Sequence, residues 1–454
     1  MTLPARFIAV LDIGKTNVKL VGHDLDAGTD FFVRQMPNRV LRDGPYPHFD
    51  IETIWQFLLT SLTDLQREQP FEAISITTHG AAAALINDTG LVLPILDYEH
   101  TGPDELAADY DRLRPPFSES FSPRLPMGLN LGAQLYWQQV CFPQEFAATT
   151  AILTYPQYWA WRLTGITSTE ATSLGCHTDL WQPKSGLAST LVRKAGWADK
   201  LAPLHLAFDA LGPVKPEIAA QIGLANSVPV HCGIHDSNAS LLPHLLAQEA
   251  PFSVISTGTW AVLFAVGGKL DGMDPARDTL VNVDAFGRPV PSARFMAGRE
   301  FDLITGGTVA EPDAAALASV LSAGKMALPA FAEGTGPFPN SSGRLTHEDL
   351  NAQERTAVAS LYAALMTEVC LELLRADGAS VIEGPFARNA LYCEALAAAI
   401  GRPVKVSQSA TGTSAGAALL VRREDRAGPL SLPPARYELD GFQRYRKAWR
   451  AQVL

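Results

Sequence analysis

Residues 7–22 read FIAVLDIGKTNVKLVG, and the Gly14-Lys15-Thr16 triplet inside them decides how the chain begins. A P-loop needs a second glycine five positions earlier, so that successive backbone N–H groups wrap a phosphate, and it leads into a helix. That earlier position is Ala9, and after the triplet Thr16, Val18 and Leu20 alternate with Asn17, Lys19 and Val21. A two-residue period is the mark of a strand. The stretch is therefore expected to form a β-hairpin, with Asp12 at the end of its first arm and a turn at Gly14.

The pattern returns about half a chain later as SVISTGTWAVLFAV, residues 253–266. Each copy has an apolar arm, a small polar turn with one glycine (Gly14, Gly258) and an alternating second arm. Two such hairpins predict a duplicated chain with a boundary near residue 245, giving domains 1–244 and 245–454. Length agrees, because 454 residues exceed the roughly 250–300 at which single cores stop growing. Strands and helices alternate, the signature of an α/β fold. AISITT (73–78) follows an amphipathic segment from Ile54 to Leu65, and PQYWAWRLTG (156–165) reads as a helix closed by Gly165. Helices around 350–375 and 390–400 alternate with strands such as 403–407. Residues 103–126, rich in Pro, Ser and charge, read as an insertion over the surface.

A formal net charge of −11 weighs against a nucleic-acid surface, which wants clustered Lys and Arg. Five scattered cysteines without a CxxC pair argue for free thiols in a reducing compartment rather than disulfides or zinc. The segment MTLPARFIAVLD has too short an apolar run for a signal peptide, and no apolar run of about 18 residues predicts a membrane span. A cytoplasmic protein, monomeric or homodimeric and without a membrane or nucleic-acid partner, is the expectation.

Two glycine hairpins facing a common cleft would clamp phosphate through backbone N–H groups and the hydroxyls of Thr16, Thr257 and Thr259. Lys15 and Lys19 would add positive charge, and Asp12 would hold magnesium, through water, since that ion keeps several of its waters. Ordinary turns with a solvated Lys19 are the plain alternative. VPVHCGIHDSNASLLPHLL (228–246) runs from a strand through Gly233 to a helix beginning near Ser237. Asp236 at that junction is either a helix N-cap or a carboxylate placed to accept a proton from a hydroxyl attacking a γ-phosphate. His79, at a strand end, is either a core histidine or a ligand contact, and His235 is a candidate for tuning Asp236. Tyr155, Tyr158, Trp159 and Trp161 have helical spacing and read as core rather than a sugar platform.

Six segments, in order from residue 10 to residue 420, resemble the motifs of the FGGY carbohydrate kinases. DIGKTNVK is similar to that family's first phosphate motif, DxGTxxxK, and STGTWAVL to its second. GIHDSNASLL resembles the segment with the catalytic aspartate, and RLTG followed by TEATSLGCHTDLW the LTG…D/E-x-S stretch. EGPFARNALYCEALAAAIGRPVKVS is similar to the adenosine motif, and GTSAGAALL to a closing small-residue helix. The resemblance implies two actin-like, ribonuclease-H-like α/β domains related by duplication, with ATP and a sugar in the cleft between them. It implies Asp236 as general base, Asp12 and Asp236 as the magnesium carboxylates, and Gly14, Lys15, Thr16, Asn17 and Lys19 in the first phosphate loop. Thr257, Gly258 and Thr259 fall in the second, Gly384 and Asn389 near adenosine, and His79, Gly80 and Asp97 near the sugar.

THGA, LDYEH, LNLGAQLYWQ, ARFMAGREF and EGPFARN look most like rhamnulokinase-type members, which implies L-rhamnulose as the ketose, phosphorylated at O1 because a 6-deoxy sugar has no hydroxyl at C6. Other ketoses or polyols (L-fuculose, D-xylulose, L-ribulose), an actin-like ATPase and a sugar-responsive regulator are the alternatives. Departures from the family pattern are specific. The sugar motif W-x-D-x-R has Ile95 for Trp and Glu99 for Arg, Lys15 replaces the usual Thr, and Glu383-Gly384-Pro385 stands for three glycines. Glu383 is expected either at the ribose or in solvent, Lys15 at the β/γ-phosphates, and Arg299 and Glu300 on the nucleotide side.

Overall fold

The computed structural model describes residues 5–407, 412–423, 430–433 and 436–454. The chain forms two compact units. The first comprises the chain through Ala247 with Val281–Pro289 and the described part of Thr411–Ala427. The second comprises Gln248–Leu280, Val290–Ala410 and the described part of Gly428–Leu454.

In the first unit β1 (Phe7–Ile13), β2 (Asn17–Asp24) and β3 (Thr29–Pro37) run antiparallel in succession. On the other side of β1 lie two parallel neighbours, β4 (Ala73–Thr78) and then β5 (Pro229–His231), with β6 (Ile234–His235) also pairing β4. Ile8 to Ile13 and all of β4 are buried, as strands covered on both faces must be. The helix Ile51–Glu68 covers one face. Its buried residues Ile51, Ile54, Trp55, Leu58, Leu59, Leu62 and Leu65 follow the helical period, and Asp50 caps it by accepting from Thr53 N. On the opposite face the helix Asp236–Ala247 meets the short helix Thr413–Ala418. There a Cβ on Gly416 would lie 1.9 Å from the Ala239 carbonyl oxygen, and Ser75 Oγ donates to Ala417 O at 2.6 Å. The small residues of GTSAGAALL are thus a packing requirement.

The second unit repeats the order. β7 (Phe252–Thr257), β8 (Ala261–Val266) and β9 (Pro289–Phe295) run antiparallel in succession, and β7 has β10 (Ala379–Glu383) and then β11 (Val404–Ser407) as parallel neighbours. Two α/β units with the same strand order and directions make an actin-like fold. The helix Ala352–Leu373 starts with a reciprocal Asn351–Glu354 capping box. It is long and apolar enough to cross a membrane, yet 89% of its most apolar window is buried inside this unit, so it is a core helix.

Residues 103–126 are more than a surface loop. They include the helices Ala107–Leu113 and Phe117–Ser120, anchored where the Tyr110 hydroxyl donates to Asp179 Oδ2 at 2.7 Å and Arg114 pairs with the same carboxylate. A buried carboxylate holds its site only when paired and hydrogen-bonded, and Asp179 is both. The anticipated hairpins, the helix closed by Gly165 and the strand at 73–78 are all present.

Candidate active site

In open α/β sheets ligands collect at the carboxyl ends of parallel strands, and register brings three such ends together in the first unit. Asp12 pairs with Thr77 and Ile13 with Thr78 on one side of β4, while Ile234 pairs with Thr77 and His235 with Thr78 on the other. Asp12, His79 and Asp236 therefore emerge from adjacent strand ends. Helix formation begins at Asp236 itself, whose Oδ1 accepts from the N–H of Ser237 at 2.6 Å. A carboxylate there also gains from the helix dipole.

Asp236 is surrounded by protein on most sides, yet a third of its side-chain surface is open. Burial raises its pKa, partly offset by the neighbouring His79 ring and by the bonds from Ser237. Asp12 is buried, with its pKa likewise raised by burial against the hydrogen bond from Ser414 Oγ (2.7 Å) and the charge of Lys19, its cross-strand partner. Negative charge on Asp236 pushes it the same way, so the two carboxylates sense each other.

His79 is buried among Phe49, Tyr98 and Tyr155, with ring centroids 5.0, 5.5 and 4.9 Å away. Its Nδ1 lies 2.7 Å from the Gly80 carbonyl. A carbonyl only accepts, so Nδ1 holds the proton and Nε2 is an acceptor. Nε2 is buried with no partner among the described residues, and burial lowers the ring's pKa to about 4. His235 is also held near 4 by burial, and its Nε2 lies 3.2 Å from Asp236 Oδ1. Both rings are neutral at pH 7. Gly80 cannot gain a side chain, since a Cβ would sit 2.9 Å from that nitrogen.

Residues without an assigned role in the sequence hold this geometry. Gln157 Nε2 donates to the carbonyls of Cys232 (2.9 Å) and Gly233 (3.2 Å), just before β6. Thr172 Oγ1 donates to buried Glu170 and accepts from the N–H of His235 at 3.0 Å. Burial raises the Glu170 carboxyl to about 7 despite three donors. The TEATS segment was visible in the sequence; that it braces the backbone beside Asp236 is a tertiary fact. Tyr155, Tyr158 and Trp159 are core, as their spacing predicted, while Trp161 packs against that core only partly buried.

Lys15 departs from expectation. Its ammonium pairs with Asp97 and lies 3.5 Å from Glu99, over the rings of Tyr98 (4.6 Å) and Phe49 (5.2 Å). It is engaged beside His79, because a buried Asp97 needs a cation more than a solvated lysine needs water. Thr16 and Asn17 stay at the turn, where Asn17 Nδ2 donates to Thr16 Oγ1, and Gly14 N donates to Asn17 O at 2.9 Å.

The second unit has a cavity of about 1080 Å³, large enough for a nucleoside, at the carboxyl ends of β7 and β10. Gly258 and Thr259 form one wall, Arg299, Phe301 and Leu303 another, and Pro385, Phe386, Arg388 and Asn389 a third. Three expected residues are better read as its scaffold. The Thr257 hydroxyl donates to Glu383 O and accepts from Phe386 N (3.2 Å), so it ties the hairpin to the β10 loop rather than pointing a donor at a ligand. Gly384 has φ of 80°, and a Cβ there would lie 2.0 Å from Thr257 O. Asn389 caps the helix Ala390–Ile400 through Tyr392 N and donates to Ser360 Oγ. Arg299 lines the cavity, whereas Glu300 is buried behind it, accepting from Ala332 N and the Tyr362 hydroxyl. Glu383 is buried at the end of β10 rather than in solvent, and the residues lining the cavity do not include it.

Comparison with known proteins agrees with the two-unit fold. Residues 7–243 match the N-terminal domain of the FGGY family of carbohydrate kinases, and residues 249–429 match the C-terminal domain of carbohydrate kinase FGGY. The crystal structure of a carbohydrate kinase from Novosphingobium aromaticivorans superposes with a TM-score of 0.90 at 36% identity over 99% of both chains. A xylulose kinase from Rhodospirillum rubrum shares the fold, with a TM-score of 0.77 at 19% identity over 98% of both chains. An L-fuculokinase from Salmonella typhi is 24% identical over 272 residues, a match spanning 58% of this chain and 57% of that protein. The chain belongs to the FGGY family of carbohydrate kinases.

Proposed function

We propose that the protein transfers the γ-phosphoryl group of ATP to a primary hydroxyl of a ketose, with Asp236 as general base. The observation behind the reading is Asp236 itself: a carboxylate with a raised pKa, one third open, beside a neutral histidine with an unused acceptor nitrogen. The substrate hydroxyl donates to Asp236 and loses its proton there as its oxygen attacks the phosphorus. A raised pKa suits that task, because a carboxylate at its ordinary value is a weaker base. His79 Nε2 accepts from a second hydroxyl and orients the sugar. The cavity between Gly258 and Asn389 holds the nucleoside, with backbone N–H groups of the Gly258 turn serving its phosphates. ATP as donor fits a cytoplasmic enzyme, acting as a monomer or homodimer.

Among the described residues no cluster of three His, Cys, Asp or Glu side chains could cage a metal. That suits magnesium, which keeps most of its waters and shares the rest of its shell with phosphates. Asp12, with one oxygen committed to Ser414, and Asp236 are the carboxylates that would hold it. When bound, the ion neutralises charge on the phosphate oxygens.

The favoured sugars are 6-deoxy ketohexoses. The L-fuculokinase match supports L-fuculose, and the motif resemblance supports L-rhamnulose; the two differ at one carbon. Both would react at O1. Sugar-stimulated ADP release across L-fuculose, L-rhamnulose, D-xylulose, L-ribulose and glycerol tests the proposal. A 6-deoxy ketose is expected to give the highest kcat/KM, and stimulation by none of them overturns the kinase reading.

A further inference from the structure

We infer that Lys15 reads the substrate: anchored on Asp97, it donates a hydrogen bond to a hydroxyl of a neutral sugar bound over Asp236. The inference rests on the kinase reading above and deepens it.

An ammonium has three N–H donors. Asp97, only 4% exposed, takes one. Glu99 is 3.5 Å away with a side chain 61% exposed, a loose second partner. At least one donor is left, and the lysine side chain keeps 19% of its surface open. Its direction is fixed by the aromatic pair beneath it, Tyr98 and Phe49, which also flank His79. One pair of rings therefore flanks both the acceptor-bearing His79 ring and the Lys15 ammonium, and His79 feels the charges of Lys15 and of Asp236. A donor and an acceptor side by side match two neighbouring hydroxyls, each of which gives and takes hydrogen bonds.

Charge sharpens the substrate class. Asp97 and Glu99 together outweigh Lys15. A carboxylate on the sugar would meet net repulsion, so neutral ketoses are selected over aldonates. The rival role for Lys15 is to neutralise Asp97 and nothing more.

The two roles separate in a double substitution assayed on the full-length enzyme. Lys15→Met is expected to raise KM for the best ketose about tenfold to a hundredfold, the worth of one charge-assisted hydrogen bond, with a smaller change in kcat. Lys15→Met combined with Asp97→Asn is expected to stay impaired, because removing the buried charge does not restore the missing donor. Lys15→Arg, which keeps charge and donors, is expected to recover part of the loss, and an ADP-induced thermal shift in each variant verifies folding. A double variant with wild-type KM would show that neutralisation was the whole role and overturn the inference, as would a Lys15→Met enzyme with unchanged KM or a wild type that prefers gluconate to every ketose. A wild type whose ADP release no sugar stimulates sinks the kinase reading instead, a different result from any of these.

Discussion

The turn of the first hairpin is crowded with charge, with Asp12, Lys15 and Lys19 within eight residues, whereas Thr257-Gly258-Thr259 in the second carries none. The surroundings differ in the same sense. The first turn belongs to a group of titratable side chains in which burial moves Asp12, His79, His235 and Asp236 away from their ordinary pKa values. The second opens on a cavity walled in part by Phe301, Leu303, Val309, Pro312 and Phe386. The same strand order thus supports two kinds of surroundings, a cluster of buried titratable groups in one unit and a partly apolar cavity in the other. Glycine follows the division. A Cβ on Gly14 would be 3.2 Å from Asn17 O at ordinary φ, while beside the second turn Gly298 and Gly384 lie so close to Gly258 O and Thr257 O that a Cβ would approach to 2.3 and 2.0 Å.

The strongest way to break that division is Asp236→Asn. It leaves the fold and the helix start in place, since asparagine caps as well as aspartate, but removes the base. The expected loss is about 10²–10⁴ in kcat, the usual contribution of a positioned base, with KM for ATP within a few-fold. Near-normal ketose turnover would put the chemistry elsewhere. The acid limb of the pH profile sharpens the assignment. In the proposed mechanism Asp236 acts only when deprotonated, and its raised pKa puts the expected fall in kcat/KM above the ordinary carboxylate value of about 4. His79 and His235, both near 4, stay neutral above pH 5 and add no limb around 6.5. In Asp236→Asn the residual activity should lose that limb, keeping only what the other raised carboxyls, Asp12 and Glu170, contribute.

The second unit should respond in stability rather than chemistry. Gly384→Ala combines a positive φ with a Cβ placed against the Thr257 carbonyl, and roughly 2–4 kcal/mol of destabilisation is expected. A urea titration measures it. Thr257→Val is milder. It strands the Glu383 carbonyl and the Phe386 N–H, about 1–3 kcal/mol for buried groups left unpaired, while KM for the sugar should hold. A Thr257→Val enzyme with full stability but lost phosphoryl transfer would return that hydroxyl to the phosphates and erase the contrast between the turns.

What could be read in the sequence was what periodicity and turn chemistry encode locally. Alternation after Thr16 announced the hairpin, Gly165 closed its helix at φ of 84°, and Asp236 stood at its junction. Which partner each polar group would find was not legible, because partners come from distant strands. Asp97 lies 82 positions from Lys15 and Ser414 lies 402 from Asp12, and no local pattern predicts that a phosphate-motif lysine turns to a buried aspartate. Thr257 is similar. Its hydroxyl suits a phosphate in the sequence, yet the chain 126 residues on supplies the carbonyl it bonds. The insertion 103–126 misled for a related reason: its polar composition hides Arg114, whose partner Asp179 is fully buried.

Asn389→Ala is the smallest and most discriminating change. The side chain reaches the cavity wall, but its oxygen accepts from Tyr392 N and its nitrogen donates to Ser360 Oγ. If its service is to fix the start of the helix Ala390–Ile400, alanine should cost about 1 kcal/mol, the usual worth of an N-cap, and weaken nucleotide binding only through that loosening. Asn389→Asp, which still caps but cannot donate to Ser360, should retain most of the stability. If instead Asn389 bonded the nucleotide directly, both variants would lose affinity alike while their stabilities differed. Thermal melts with and without ADP separate the two, because a scaffold residue moves the apo midpoint first, and a ligand-contacting residue moves mainly the increment that ADP adds.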